Sequence, residues 1–248
     1  MAEERAAALG QTEWRRIAGL RVVMSWPENA YAQPPRVQRN LRARAAGVAG
    51  VLLVIAGATG IGVALSAQKH APEPSPGAAG ATGPSAIHGP SLQRSEPVSV
   101  DIPAIGVTSG LLHLGDTTEG AIQVPSLPAQ ASDAAWYQYS ATPGQIGASV
   151  IEGHVDSYDG PAVFFRLGAL RPGDRVDVQL ADGVTAVFRV TGVRKYLKSS
   201  FPARAVFGST DYAALRLITC GGAFDYETGH YLSSVVVFAS LVSSRRAA

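Results

Sequence analysis

The C-terminal part of this chain predicts an all-β fold, a closed barrel with short helices, preceded by a single transmembrane helix. Three observations carry the prediction. From Pro97 onward, short apolar runs alternate with polar residues at a period of two. Turn signals punctuate them at Pro143-Gly144, Arg171-Pro172-Gly173-Asp174 and Asp182-Gly183, the last a hairpin between two alternating runs. About eight such strands in roughly 145 residues favour closure, because a closed sheet has no exposed edge.

In chain order, residues 1–44 read as a basic cytoplasmic tail, with eight arginines against four glutamates. Trp14, Leu20, Val22 and Val23 allow a short amphipathic piece, which Pro27, Pro34 and Pro35 interrupt. Residues 45–67 then run for 23 positions without a charge. As a helix this stretch covers about 34 Å, enough to cross a hydrocarbon core. The whole chain is +2 and the tail is +4, so everything after it carries −2. The positive-inside rule then keeps the N-terminus in the cytoplasm and exports the C-terminal portion. A cleaved signal peptide competes with this reading, but 44 residues precede the apolar run, which favours an uncleaved anchor. The expected location is the cell membrane, single-pass, with the N-terminus cytoplasmic and the C-terminal domain extracellular.

Residues 68–96 contain five prolines and four glycines and read as a flexible linker. Fully extended, it reaches roughly 90 Å at about 3.1 Å per residue. Residues 97–242 form the barrel domain. Val98, Val100 and Ile102 open it; Val176, Val178 and Leu180, then Val184, Ala186, Phe188 and Val190, continue the alternation. Val235-Val236-Val237-Phe238-Ala239 is almost wholly apolar, as expected of a strand buried on both sides. Residues 160–167 invite a short helix, and residues 243–248 are read as a C-terminal tail.

The chemistry centres on Cys220, the only cysteine, which ends the run Leu215-Arg216-Leu217-Ile218-Thr219 and precedes Gly221-Gly222. An exported structural cysteine normally has a disulfide partner, and this chain offers no second cysteine. Thiolate zinc sites are excluded for the same reason. A second run, Ala148-Ser149-Val150-Ile151-Glu152-Gly153, delivers His154 to a strand end. Thiol and imidazole are the minimum parts of a cysteine nucleophile with its proton partner. Residues 97–242 hold nine basic and thirteen acidic residues, a balance that gives no footprint for nucleic acid. Of the neighbours, Glu152 is read as an outward-facing strand residue and Arg216 as a structural salt-bridge residue. Asp156 either orients His154 or forms a turn. His113 is read as structural, and His70 and His88 fall in the linker.

Several segments in fixed order then resemble one family. These are Ile102-Pro103-Ala104-Ile105-Gly106-Val107, Trp136-Tyr137, Pro143-Gly144-Gln145, Gly153-His154-Val155-Asp156, Leu217-Ile218-Thr219-Cys220-Gly221-Gly222, Phe224-Asp225 and Thr228-Gly229-His230-Tyr231. Residues 97–242 resemble a sortase, most similar to the class F enzymes of high-GC Gram-positive actinobacteria. The resemblance implies a closed eight-stranded sortase-type β-barrel and a cysteine transpeptidase. Its substrate would be an exported protein bearing a Leu-Pro-X-Thr-Gly-type sorting signal, cleaved through a thioacyl intermediate on Cys220. The acceptor would be an amine of the cell-wall precursor. His154 would be the proton partner, Thr219, Gly221 and His230 would contact substrate, and no metal or organic cofactor is called for.

One departure stands beside the match. In the class F pattern an arginine follows the tyrosine of the Gly-His-Tyr segment, and here that position is Leu232. The backbone N–H of Gly221 or Gly222 is the substitute oxyanion donor. The alternative is a weak or inactive relative that binds sorting signals or wall precursors.

Overall fold

The computed structural model describes residues 70–80, 91–118 and 120–246. The chain divides into two compact units; the larger includes Ala71–Ala248, and of the smaller, Ala32–His70, only His70 is described. The predicted span at 45–67 and the basic tail lie outside the described residues. Among the described residues no helix is long and apolar enough to cross a membrane.

Eight strands close the barrel. They are β1 (Pro97–Ile102), β2 (Val107–Leu114), β3 (Ala134–Tyr137), β4 (Gly147–Gly153), β7 (Arg175–Leu180), β8 (Val184–Leu197), β9 (Ala213–Asp225) and β10 (His230–Arg246), while β5 (Asp156–Ser157) and β6 (Gly160–Pro161) form a separate small hairpin. Around the barrel the order is β1-β2-β3-β4-β9-β10-β8-β7, with β7 paired back to β1. β2–β3 and β4–β9 are parallel, and the other barrel pairs are antiparallel. The alternation in the sequence is the inside–outside alternation of the wall. Val176, Val178, Leu180, Ala186, Phe188 and Val190 fill the interior with Trp136, Ile151, Leu215, Leu217 and Val237. Fully burying each aliphatic side chain contributes about 1.5–3 kcal/mol.

A second apolar layer lies on the outside of the wall. Val150, Ile218, Val236 and Phe238 pack there beneath Val206 of the short helix Ala203–Phe207, with Tyr137, Tyr196, Phe201 and Phe207 around them. This is why the run 235–239 is apolar on both faces.

Three boundaries differ from the sequence expectation. Residues 160–167 form no α-helix: Gly160 and Pro161 belong to the hairpin, turns follow, and a 3-10 turn spans Leu167–Ala169. Their amides are spent elsewhere, Ala162 N–H on the Val155 carbonyl (3.1 Å) and Phe164 N–H on the His154 carbonyl (2.9 Å). The tail read at 243–248 is strand through Arg246, with Ser243 opposite Val187 and Arg246 opposite Val184. Part of the expected linker is docked. Pro76–Ala79 forms a 3-10 turn whose Ala78 joins the core, and Arg194 donates to the carbonyls of Ala79 (3.0 Å) and Gly80 (2.9 Å). Lys195 pairs with Glu73, and Leu92 N–H bonds the Gly144 carbonyl (2.8 Å). Prolines have little backbone freedom to lose, so a few contacts suffice to hold this strap.

Candidate functional site

The site is a product of strand register. β4 and β9 run parallel, paired from Gly147↔Ala213 to Glu152↔Ile218. Continued two residues past its last pair, that register sets His154, just beyond β4, level with Cys220 inside β9. Thr219 locks this alignment: its hydroxyl donates to the Gly153 carbonyl at 2.7 Å, one residue before each of the two side chains.

Both side chains line one narrow cleft, with Val155, Asp156, Gly229, His230 and Tyr231. Its empty volume is about 230 Å³, below the ordinary range for ligand sites. Cys220 is 4 % exposed and His154 2 % exposed. The turn before β10 borders the cleft, and the Tyr231 hydroxyl beyond it donates to Asp156 Oδ2. Asp156 is therefore engaged by tyrosine, and His154 takes its orientation from another source. Its Nε2–H donates to the Pro125 carbonyl at 2.6 Å. That bond sets the tautomer of the neutral ring and leaves Nδ1 as the basic nitrogen. Burial pulls the His154 pKa below its ordinary value, opposed by the Pro125 bond, so the neutral ring is favoured. Burial raises the Asp156 carboxyl pKa, and the tyrosine bond lowers it.

Of the residues singled out in the sequence, the cleft brings together Cys220, His154, His230 and Asp156. His230 Nδ1 is buried with no hydrogen-bond partner. Thr219 and Gly221 do not line the cleft: Thr219 ties β9 to β4, and Gly221 sits in the ladder opposite Ser233. Gly222 has φ +76°, and a Cβ there would meet Ser233 Oγ at 2.9 Å, so only glycine suits the turn away from the cysteine. Leu232 falls where the β9–β10 register shifts between Tyr231 and Ser233, with its side chain exposed. Pro125 and Tyr231 were missed as site residues. Pro125 contributes only a backbone carbonyl, which side-chain chemistry does not reveal.

Two expectations are corrected. Glu152 is not outward into solvent but buried against the outer apolar layer, where desolvation pushes its carboxyl up to about 8. Arg216 forms no salt bridge among the described residues; its guanidinium lies over the Phe238 ring, 4.7 Å from the centroid. The reason is the same for both: the outer face of β4 and β9 is covered. Among the described residues no cluster of His, Cys, Asp and Glu is arranged to hold a metal ion.

Cys220 is carried inside β9, which continues five residues beyond it to Asp225 rather than ending there as the sequence suggests. Residues 100–242 match the Sortase domain model, more than half of the chain, and the chain belongs to the sortase family, a family of cysteine transpeptidases. No curated protein matches it. Among solved structures, it is similar to sortase A of Listeria monocytogenes (16% identity, 63% of this chain and 92% of that one, TM-score 0.45). It is also similar to sortase C1 of Streptococcus agalactiae (20% identity, 58% and 66% covered, TM-score 0.45). The Actinomyces oris sortase SrtA shares 22% identity over 62% of this chain and 84% of that one, with a TM-score of 0.44.

Proposed function

We propose that this chain is a membrane-anchored, class F-like sortase that joins exported proteins to a cell-wall amine. The observation that carries the reading is the β4–β9 register, which sets Cys220 beside His154 in one cleft. In the proposed cycle Cys220 Sγ attacks the carbonyl carbon of the Thr–Gly bond of a Leu-Pro-X-Thr-Gly-type signal, and the thiol proton passes to His154. The C–N bond breaks as His154 returns that proton to the departing glycine amine, leaving a thioester. An amine of the wall precursor then attacks the thioester, gives a proton to His154, and releases Sγ. Nδ1 is the nitrogen that exchanges the proton, since Nε2 is held by Pro125. Thr219 acts by alignment, while His230 and the backbone around Gly221 meet the substrate.

The anchor at 45–67 and the exported placement rest on the charge asymmetry of the tail and the uncharged run. A second reading, a module that binds signals without turnover, is favoured by one observation: Leu232 is exposed and no arginine lies between Cys220 and Arg245. Losing one oxyanion donor costs about 10²–10³ in rate. Incubating the full-length chain with signal peptides and measuring intact mass separates the readings. The expected result is a thioacyl adduct on Cys220, absent in Cys220→Ala. Peptide binding with neither adduct nor cleavage would establish the second reading.

A further inference from the structure

Acyl transfer to a thiol needs two things beside the nucleophile, a group that carries the proton and a donor for the oxyanion. His154 takes the first task, since the Pro125 carbonyl holds Nε2–H at 2.6 Å and leaves Nδ1 basic. The second task falls to no cation. Neither arginine nor lysine lines the cleft around Cys220, and Leu232 is exposed at a register shift of the ladder. Gly221 and Gly222, whose amides the sequence offers for the role, do not line the cleft either.

The donors that do border the cleft are largely spent. The Tyr231 hydroxyl donates to Asp156, and Gly229 N–H donates to the Asp225 carbonyl at 2.8 Å. His230 differs from them: it lines the cleft, and its Nδ1 is buried with no hydrogen-bond partner. A buried polar atom left so is costly until a partner arrives. The cleft holds only about 230 Å³ of empty space, so a carbonyl seated on Sγ has few neighbours besides the two imidazoles. An imidazole protonated at Nδ1 donates from that nitrogen whether the ring is neutral or charged.

We propose that His230 is the oxyanion donor of this site, an inference that rests on the transpeptidase reading. As Sγ attacks, the S–C bond forms, the carbonyl π pair moves onto oxygen, and Nδ1–H donates to that oxygen without surrendering its proton. When the C–N bond breaks the pair returns to the carbonyl, and the same donor serves again as the wall amine attacks the thioester. His154 moves protons and His230 holds charge.

The test compares full-length wild type with His230→Leu, which removes the donor, and His230→Asn, whose amide N–H stands where Nδ1–H does. Signal-peptide cleavage gives kcat and KM, anisotropy on the Cys220→Ala background gives peptide affinity, and iodoacetamide labelling gives the reactivity of the thiol. His230→Leu is expected to lower kcat by about 10²–10³, with affinity and labelling rate within about three-fold of wild type. His230→Asn recovers most of that loss. His230→Ala gives the same reading if the leucine variant does not fold. Wild-type kcat in His230→Leu, no recovery in His230→Asn, or a labelling rate that falls in step with kcat overturns the donor role and leaves the transpeptidase reading intact. A wild-type chain that neither cleaves nor is acylated overturns both.

Discussion

Glu152 sits two residues before His154, and its environment makes the fold sensitive to pH. An unfolded glutamate releases its proton near 4.5, whereas the folded protein retains it to about 8. The folded state thus binds more protons across that window, and stability falls as pH rises from about 4.5 to 8. Glu152→Gln should remove this slope, giving a Tm at least about 3 °C above wild type at pH 8 but equal to it near pH 4. Thermal unfolding at a series of pH values measures it, and a gap independent of pH would trace the effect to packing instead. Cys220, His154 and His230 were legible because a lone thiol and an imidazole after apolar β-prone runs are rare, although β9 continues past Cys220 to Asp225. Glu152 and Arg216 were not, because alternation says which residues share a face and not what covers it. The cover is Ala203–Phe207, five residues too short for a helical period to register.

The turn leading into β10 borders the cleft that holds the thiol. Asp225 caps it, accepting from Glu227 N–H and the Thr228 hydroxyl (both 2.9 Å), and Tyr231 fastens its far end to Asp156. Cys220 is 4 % exposed, and residues 229–231 line its cleft, so the expectation is that this turn limits access to the sulfur. Removing the phenolic hydroxyl in Tyr231→Phe should raise the alkylation rate of Cys220 by roughly ten-fold, the worth of one charge-assisted hydrogen bond. Iodoacetamide labelling followed by mass spectrometry reads it out, and an unchanged rate would show that the turn is not the barrier. The strands themselves were legible from their period of two. The turn was visible as a motif, but its tie through Tyr231 to Asp156 is one that no local pattern encodes.

At the scale of the whole molecule, a strap and a seam matter most. The composition of 71–80, rich in Pro, Gly and Ala, describes a linker, yet Ala78 docks into the core by one small apolar side chain. Ala78→Asp should destabilise the barrel by about 2 kcal/mol or more through a charge buried without a partner, measurable as a lowered denaturation midpoint. An unchanged midpoint would leave the strap ornamental. The seam is the parallel contact between β4 and β9. Parallel neighbours cannot be joined by a tight hairpin, and here the chain completes β7 and β8 between them before β9 arrives. An incompletely assembled chain therefore carries its sulfur without the imidazole alongside. The pairing of these two side chains is thus a late product of folding, made only when β9 lies down along β4.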